Sequence, residues 1–174
     1  LEPYYAENRL FGGEGETGTA RGTAYHRFLE LCDFSLKSVD KIVEEIEGFA
    51  VSGRLTAEQR DLLDAAELSE ILRMPVFADL HGAKLFREQE FLCRLPANEI
   101  LPDVVAEDGV LVQGAIDLLA DLGGAVKIID YKYSHKSDEQ LIKTYRPQLD
   151  LYKKAVAVIT GASPEQISCT IVNI

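Results

Sequence analysis

The sequence has no apolar run approaching the ~20 residues that a membrane-spanning helix needs. Its first residues, LEPYYAENRL, have neither the basic region nor the apolar core of a secretory signal. Neither membrane insertion nor secretion is expected. Cysteine is scarce: Cys32, Cys93 and Cys169 stand far apart, each among apolar neighbours, with no Cys-x-x-Cys pair. That pattern supports no zinc knuckle and no iron–sulfur cluster. It fits three buried thiols in a reducing cytoplasm. Positive charge is also short, with 18 Lys and Arg against 29 Asp and Glu, a net of −11. Such a balance argues against free-standing nucleic-acid binding, which is driven by phosphate neutralisation. The run GEGETGT lacks the Lys-Ser/Thr pair of a phosphate loop and follows no strand, so no nucleotide site is expected. The chain opens on Leu rather than Met and reads as a piece of a longer protein.

What is present suffices for one globular domain: 174 residues, 47% of them apolar, can bury a core without disulfides. The charge is uneven. Lys127, Lys132, Lys136, Lys143, Arg146, Lys153 and Lys154 face four acids in the same stretch, Asp130, Asp138, Glu139 and Asp150. That stretch is net +3 and the remainder −14. It is the part suited to phosphate, although an ordinary solvated face explains so small an excess equally well.

Residues 1–21, polar and Gly-rich, read as a flexible lead-in, and 22–174 as the domain proper. Helical spacing begins at Thr19 and runs to about Asp33, with Ala24, Phe28, Leu31 and Cys32 on one face. A second helix fits Ser38–Val51, with Ser38 as cap. A third fits Thr56–Arg73, opened by Thr56 and Gln59 at capping-box spacing. Pro75 starts a short helix. After Gly82 the period changes to two. KLFREQEFLCRL, VLVQGAIDLLADL and AVKIIDYKYS read as strands, the last two joined at Gly123-Gly124. A helix over Arg146–Val158 and a strand over Ile167–Ile174 close the chain. The order predicts an α/β or α+β domain with a central mixed sheet and an N-terminal helical segment.

The hairpin carries the chemistry. Asp117 in G-A-I-D and Asp130 in I-I-D-Y-K lie inside apolar runs, where a charge is costly unless paired or bound to metal. Asp130 and Lys132 are two apart and share a strand face. Two carboxylates suit a hard cation such as Mg²⁺ or Mn²⁺; the lysine suits a water or a developing phosphorane charge. On these residues alone another reading stays open, in which Asp130 and Lys132 only pair with each other and Asp117 caps the strand. His26 and Glu30, at i and i+4 on the first helix, would add a natural ligand pair. Gln148 and Tyr152 share a face of a later helix beginning near Pro147.

The ordered set G-T-A-x-H-x-x-x-E, G-x-I-D, I-I-D-Y-K and Q-x-x-x-Y resembles the PD-(D/E)XK nuclease superfamily. Within it the likeness is to the C-terminal domains of bacterial helicase–nucleases of RecB and AddA type, over Gly22 to Ile174. The resemblance implies a restriction-endonuclease-like core. It implies His26, Asp117, Asp130 and the backbone carbonyl of Tyr131 as ligands of Mg²⁺ or Mn²⁺. Lys132 would position the attacking water, and Gln148 and Tyr152 would brace the site or the DNA backbone. Glu90 would be a supporting strand carboxylate, and Glu30 would orient His26. The Cys pattern of the cluster-bearing relatives is missing, so no iron–sulfur cluster is implied. The implied activity is metal-dependent hydrolysis of DNA, single-stranded for preference, in double-strand-break repair. A fused or associated helicase and a second helicase–nuclease subunit would be the partners. Tethering to such a motor would reconcile an acidic body with a DNA substrate. The rival readings are a non-catalytic DNA-binding or docking module on the same fold, and a phosphodiesterase acting on RNA or a small nucleotide.

Overall fold

One sheet with a different core on each face organises the chain. The computed structural model describes residues 20–35, 37–100 and 109–174; the lead-in expected over residues 1–21 lies, through residue 19, outside the described residues. Ala20 and Arg21 already belong to the first helix. Among the described residues the order is α1 (Ala20–Leu31), α2 (Val39–Val51), α3 (Ala57–Leu62), α4 (Ala65–Leu72), β1 (Lys84–Pro96), α5 (Ala97–Ile100), β2 (Gly109–Asp121), β3 (Val126–Lys132), α6 (Asp138–Thr160) and β4 (Ile167–Asn173). The sheet runs β1-β2-β3-β4. Its first two pairings are antiparallel and β3–β4 is parallel. This is the mixed sheet expected from the order of elements, and it has the restriction-endonuclease-like α/β architecture. No described helix is long and apolar enough to cross a membrane.

The helical repeat places α1, α2 and α4 against one face of the sheet. Tyr25, Phe28, Leu29, Ile42, Leu68 and Leu72 pack there with Leu118, Ile129 and Tyr131. The other face packs Phe91, Cys93, Leu95, Ile116 and Ile128 against Tyr152, Ala155 and Val156 of α6. A connection through a helix is what parallel pairing of β3 and β4 requires. β3 is covered on both sides, and all five residues from Ile128 to Lys132 are buried. The β2–β3 turn is built on Gly123 and Gly124, both at positive φ (77° and 157°).

Two helix boundaries differ from the sequence reading. The span Thr56–Arg73 is two helices, because Leu63 turns extended and Asp64 caps a new start by accepting from the amides of Ala66 and Glu67. The Thr56–Gln59 capping box is present. The last helix starts at Asp138 rather than near Pro147: Ser137 and Gln140 form a capping box, and Pro147 lies inside the helix. Proline removes one backbone hydrogen bond and costs roughly 3 kcal/mol in a helix interior. Packing of Leu141, Leu149, Tyr152, Ala155 and Val156 on both sides of Pro147 carries the helix through it.

Candidate active site

Antiparallel register brings the two aspartates together. β2 and β3 pair from Asp121↔Val126 up to Leu118↔Ile129. The next positions, Asp117 and Asp130, face each other where that ladder ends. The Asp117 carboxylate turns the end into a fixed point: its Oδ2 accepts the amide N–H of Tyr131 at 2.7 Å. Asp130 is 2% exposed and Lys132 7%. Lys132 Nζ lies 2.5 Å from Asp130 Oδ2, so two residues on one strand face form a buried ion pair. The ammonium also sits over the ring of Tyr145 in α6, 4.7 Å from its centroid.

His26 reaches the same place from α1. Its Nδ1 is 3.9 Å from Asp117 Oδ2, and its ring meets that of Tyr131 edge-on at 5.7 Å. The imidazole also hydrogen-bonds the backbone of Tyr131, and its Nε2 is buried without a hydrogen-bond partner. Burial first, then the Lys132 charge, hold His26 below its ordinary proton affinity. A neutral imidazole with an orphaned nitrogen is the form that ligates metal. Arg87 of β1 locks α1 in this position, donating to the carbonyls of Glu30 at 2.9 Å and Cys32 at 2.7 Å. These are carbonyls at the C-terminal end of α1, which a cation complements.

The structure adds Glu88 to the set. The β1–β2 ladder pairs Arg87 with Leu118 and Gln89 with Ile116, which places Glu88 directly opposite Asp117. One ligand atom each from His26, Glu88 and Asp117 lies within 4.8 Å of the others. Glu88 has φ of +46°, in the left-handed region that costs a non-glycine residue roughly 1–2 kcal/mol. That twist shifts the alternation. Phe86 and Phe91 pack into the same core although an odd number of positions separates them. Across the ladder, Ile116 and Leu118 face different cores although they are two apart. Both strands change phase at the facing pair. The odd interval from Phe86 to Phe91 is the sequence signal that points to Glu88.

Glu90 is placed elsewhere. It pairs with Ala115 and lines a largely apolar cavity of about 750 Å³ with Phe86, Phe91 and Val156. Glu30 is engaged by Arg27 at 2.5 Å rather than by His26, because i, i+3 on the helix suits that pair equally well. Gln148 Nε2 donates to the Tyr152 hydroxyl at 2.7 Å. The Tyr152 ring packs edge-on against Phe91 at 5.6 Å. Burial, with the charges of Asp130, Asp117 and Glu88, keeps its hydroxyl protonated. Gln148 and Tyr152 therefore border the acidic cluster.

Electrostatics favour a cation. Burial raises the proton affinity of Asp130, with Asp117 adding to it and Lys132 opposing. Asp117 is raised by burial, against the Tyr131 amide and Lys132. Glu88 is pushed up to about 7, by burial and then by Asp117 and Glu30. Crowded carboxylates with one compensating lysine are stabilised by a proton or by a divalent ion. With the orphaned His26 nitrogen, the donor set of oxygens and one imidazole fits Mg²⁺ or Mn²⁺.

Comparison with known proteins agrees with the geometry. A family model described as the PD-(D/E)XK nuclease superfamily matches residues 4–174. Three relatives carry the name of the A-type component of an ATP-dependent helicase/nuclease. The one from Carboxydothermus hydrogenoformans is 30% identical over 165 residues, covering 91% of this chain and 14% of its own length. The one from Heliobacterium modesticaldum is 33% identical over 151 residues, 80% of this chain and 11% of its own. The one from Clostridium acetobutylicum is 29% identical over 152 residues, 81% of this chain and 12% of its own. The chain thus spans roughly an eighth of the length of the relatives it matches.

Proposed function

The chain belongs to the PD-(D/E)XK nuclease superfamily, and on that footing we propose that it is a catalytic domain hydrolysing phosphodiester bonds in DNA with Mg²⁺ or Mn²⁺. The observation that carries this reading is the convergence of His26, Glu88 and Asp117 within 4.8 Å, beside the buried Asp130–Lys132 pair. A scaffold without chemistry has no use for such a costly concentration of buried charge.

His26, Glu88, Asp117 and Asp130 would hold the ion, with the Tyr131 carbonyl available beside them. A divalent ion there supplies Lewis acidity toward the phosphate and lowers the pKa of water to yield a nucleophile. Lys132 presents a fixed ammonium to the negative charge that builds at phosphorus. The Tyr131 amide fixes one Asp117 oxygen, so its carboxylate is oriented before a ligand arrives. Gln148 and Tyr152 brace the α6 side of the site.

Residues 22–174 form the nuclease domain in this reading, within a longer helicase–nuclease chain that works with a second such protein in double-strand-break repair. The relatives' name supports that context. A motor that delivers single-stranded DNA would supply the local concentration that a chain of net charge −11 cannot. The test is cleavage of labelled single-stranded DNA with Mn²⁺ or Mg²⁺ by the wild type and Asp130→Ala. Metal-dependent cleavage lost in the variant supports the reading. Equal residual cleavage in both refutes it. Titration with Mn²⁺ separates the rival docking module, which would show no site-specific binding.

A further inference from the structure

We propose that Tyr145 is a positioning residue: the face of its ring holds the Lys132 ammonium toward the reacting phosphate. The inference rests on the nuclease reading and goes beyond it, since the motif residues alone do not require Tyr145. It follows from the true start of α6. Because the helix begins at Asp138, Tyr145 precedes Gln148 by one turn and Tyr152 by two, and the three share a stripe. Gln148 and Tyr152 bond to each other, whereas Tyr145 lies on Lys132, with Nζ 4.7 Å from the ring centroid.

Lys132 is held from two sides, by Asp130 Oδ2 at 2.5 Å and by this ring. The two holds are not equivalent during turnover. Asp130 belongs to the proposed ligand set, and a carboxylate shared with a divalent ion attracts an ammonium less. The ring carries no such second duty. A cation over an aromatic face keeps most of its attraction in a desolvated site, and the Lys132 side chain is only 9% exposed. The aromatic face also leaves the ammonium's N–H donors available, where a second carboxylate would consume one and neutralise the charge. Tyr145 thus secures the position of Lys132 without competing for its proton donors.

The experiment has a spectroscopic arm and a kinetic arm. In the chain labelled with ¹³C-lysine, the Lys132 ε-methylene signal is assigned by its loss in Lys132→Arg. It is expected upfield of the other lysines, through the ring current, and to stay there on saturation with Mg²⁺. Tyr145→Phe should keep the shift and Tyr145→Leu should abolish it. In single-stranded DNA cleavage with Mn²⁺, Tyr145→Leu should lose on the order of tenfold or more in kcat with little change in KM, and Tyr145→Phe should restore most of it. A wild-type Lys132 signal among those of solvent-exposed lysines overturns the inference without any variant. Wild-type kinetics in Tyr145→Leu overturn it too, while leaving the nuclease reading intact. No metal-dependent cleavage by the wild type overturns both.

Discussion

Glu88 stands across the β1–β2 ladder from Asp117, and the strands change phase at that pair. The left-handed backbone of Glu88 is the physical expression of the change. It brings a carboxylate from β1 to within ligand distance of one from β2 and of His26 from α1. Glu88→Gln should therefore weaken Mn²⁺ binding by roughly tenfold or more and depress cleavage, because a charged oxygen donor is lost. Glu90→Gln, two positions on, should do neither. Calorimetric titration of both variants decides between the two glutamates; equal affinities would remove Glu88 from the set.

The crowding of carboxylates gives the metal-free chain a pH signature. Glu88, ordinarily at 4.5, is raised to about 7 in the folded state. Its contribution to stability is fully present below pH 4.5 and declines as pH rises through about 7. Asp117 and Asp130 are raised too and act in the same direction. His26 is lowered, so its contribution has the opposite sign and falls as pH drops below 6.5. In EDTA, the melting temperature of Glu88→Gln minus that of the wild type should grow between pH 4.5 and 7. In saturating Mn²⁺ that difference should shrink or reverse. Thermal scans across this window check it; a difference flat in pH would contradict the electrostatic account.

How far the sequence reveals these features depends on whether a residue obeys its local pattern. Asp117, Asp130 and Lys132 are legible because they interrupt apolar strands and because antiparallel pairing across Gly123-Gly124 places the aspartates opposite each other. Ser38 and Thr56 are legible as caps because a cap is a purely local bond. His26 needs the family likeness, since nothing in α1 by itself tells which helix face will meet β2. Glu88 gives way to Glu90 under an unbroken alternation, and the alternation slips in that very segment. The start of α6 is obscured because Pro147 reads as an opening signal, whereas packing on both sides of it overrides its local cost. A helix opened at Pro147 leaves out Tyr145 as well.

Arg87 positions the helix that delivers His26. Its two bonds to the carbonyls of Glu30 and Cys32 are charge-assisted, and losing them should cost roughly 2–3 kcal/mol. Arg87→Ala should lower the melting temperature by about 5–10 °C for a domain of this size. It should also weaken Mn²⁺ binding, although Arg87 is no ligand. Denaturation and metal titration on the same preparation test both effects; unchanged metal affinity would separate α1 docking from the site.

Gly114 marks the closest approach between β2 and the aromatic pair beside the site. A Cβ there would stand 2.9 Å from the Phe91 ring and 3.5 Å from that of Tyr152. Neither ring can move aside without opening the core under α6. Gly114→Ala should destabilise by roughly 1–3 kcal/mol and reduce cleavage through displaced Tyr152. Chemical denaturation would show the loss; a variant as stable as the wild type would mean that the rings yield easily.

If the buried charges of β2 and β3 serve metal-dependent phosphodiester hydrolysis, removing a ligand and removing the ammonium must have different consequences. Cleavage of single-stranded DNA by the wild type, Asp117→Asn and Lys132→Ala, each with Mn²⁺ and with EDTA, separates them. Circular dichroism confirms the fold of each. The wild type should cleave in Mn²⁺ alone. Asp117→Asn should lose both cleavage and Mn²⁺ binding, whereas Lys132→Ala should lose cleavage by about a hundredfold or more while still binding Mn²⁺. Cleavage that survives in EDTA, or that proceeds at the wild-type rate in both folded variants, would contradict a metal-dependent nuclease.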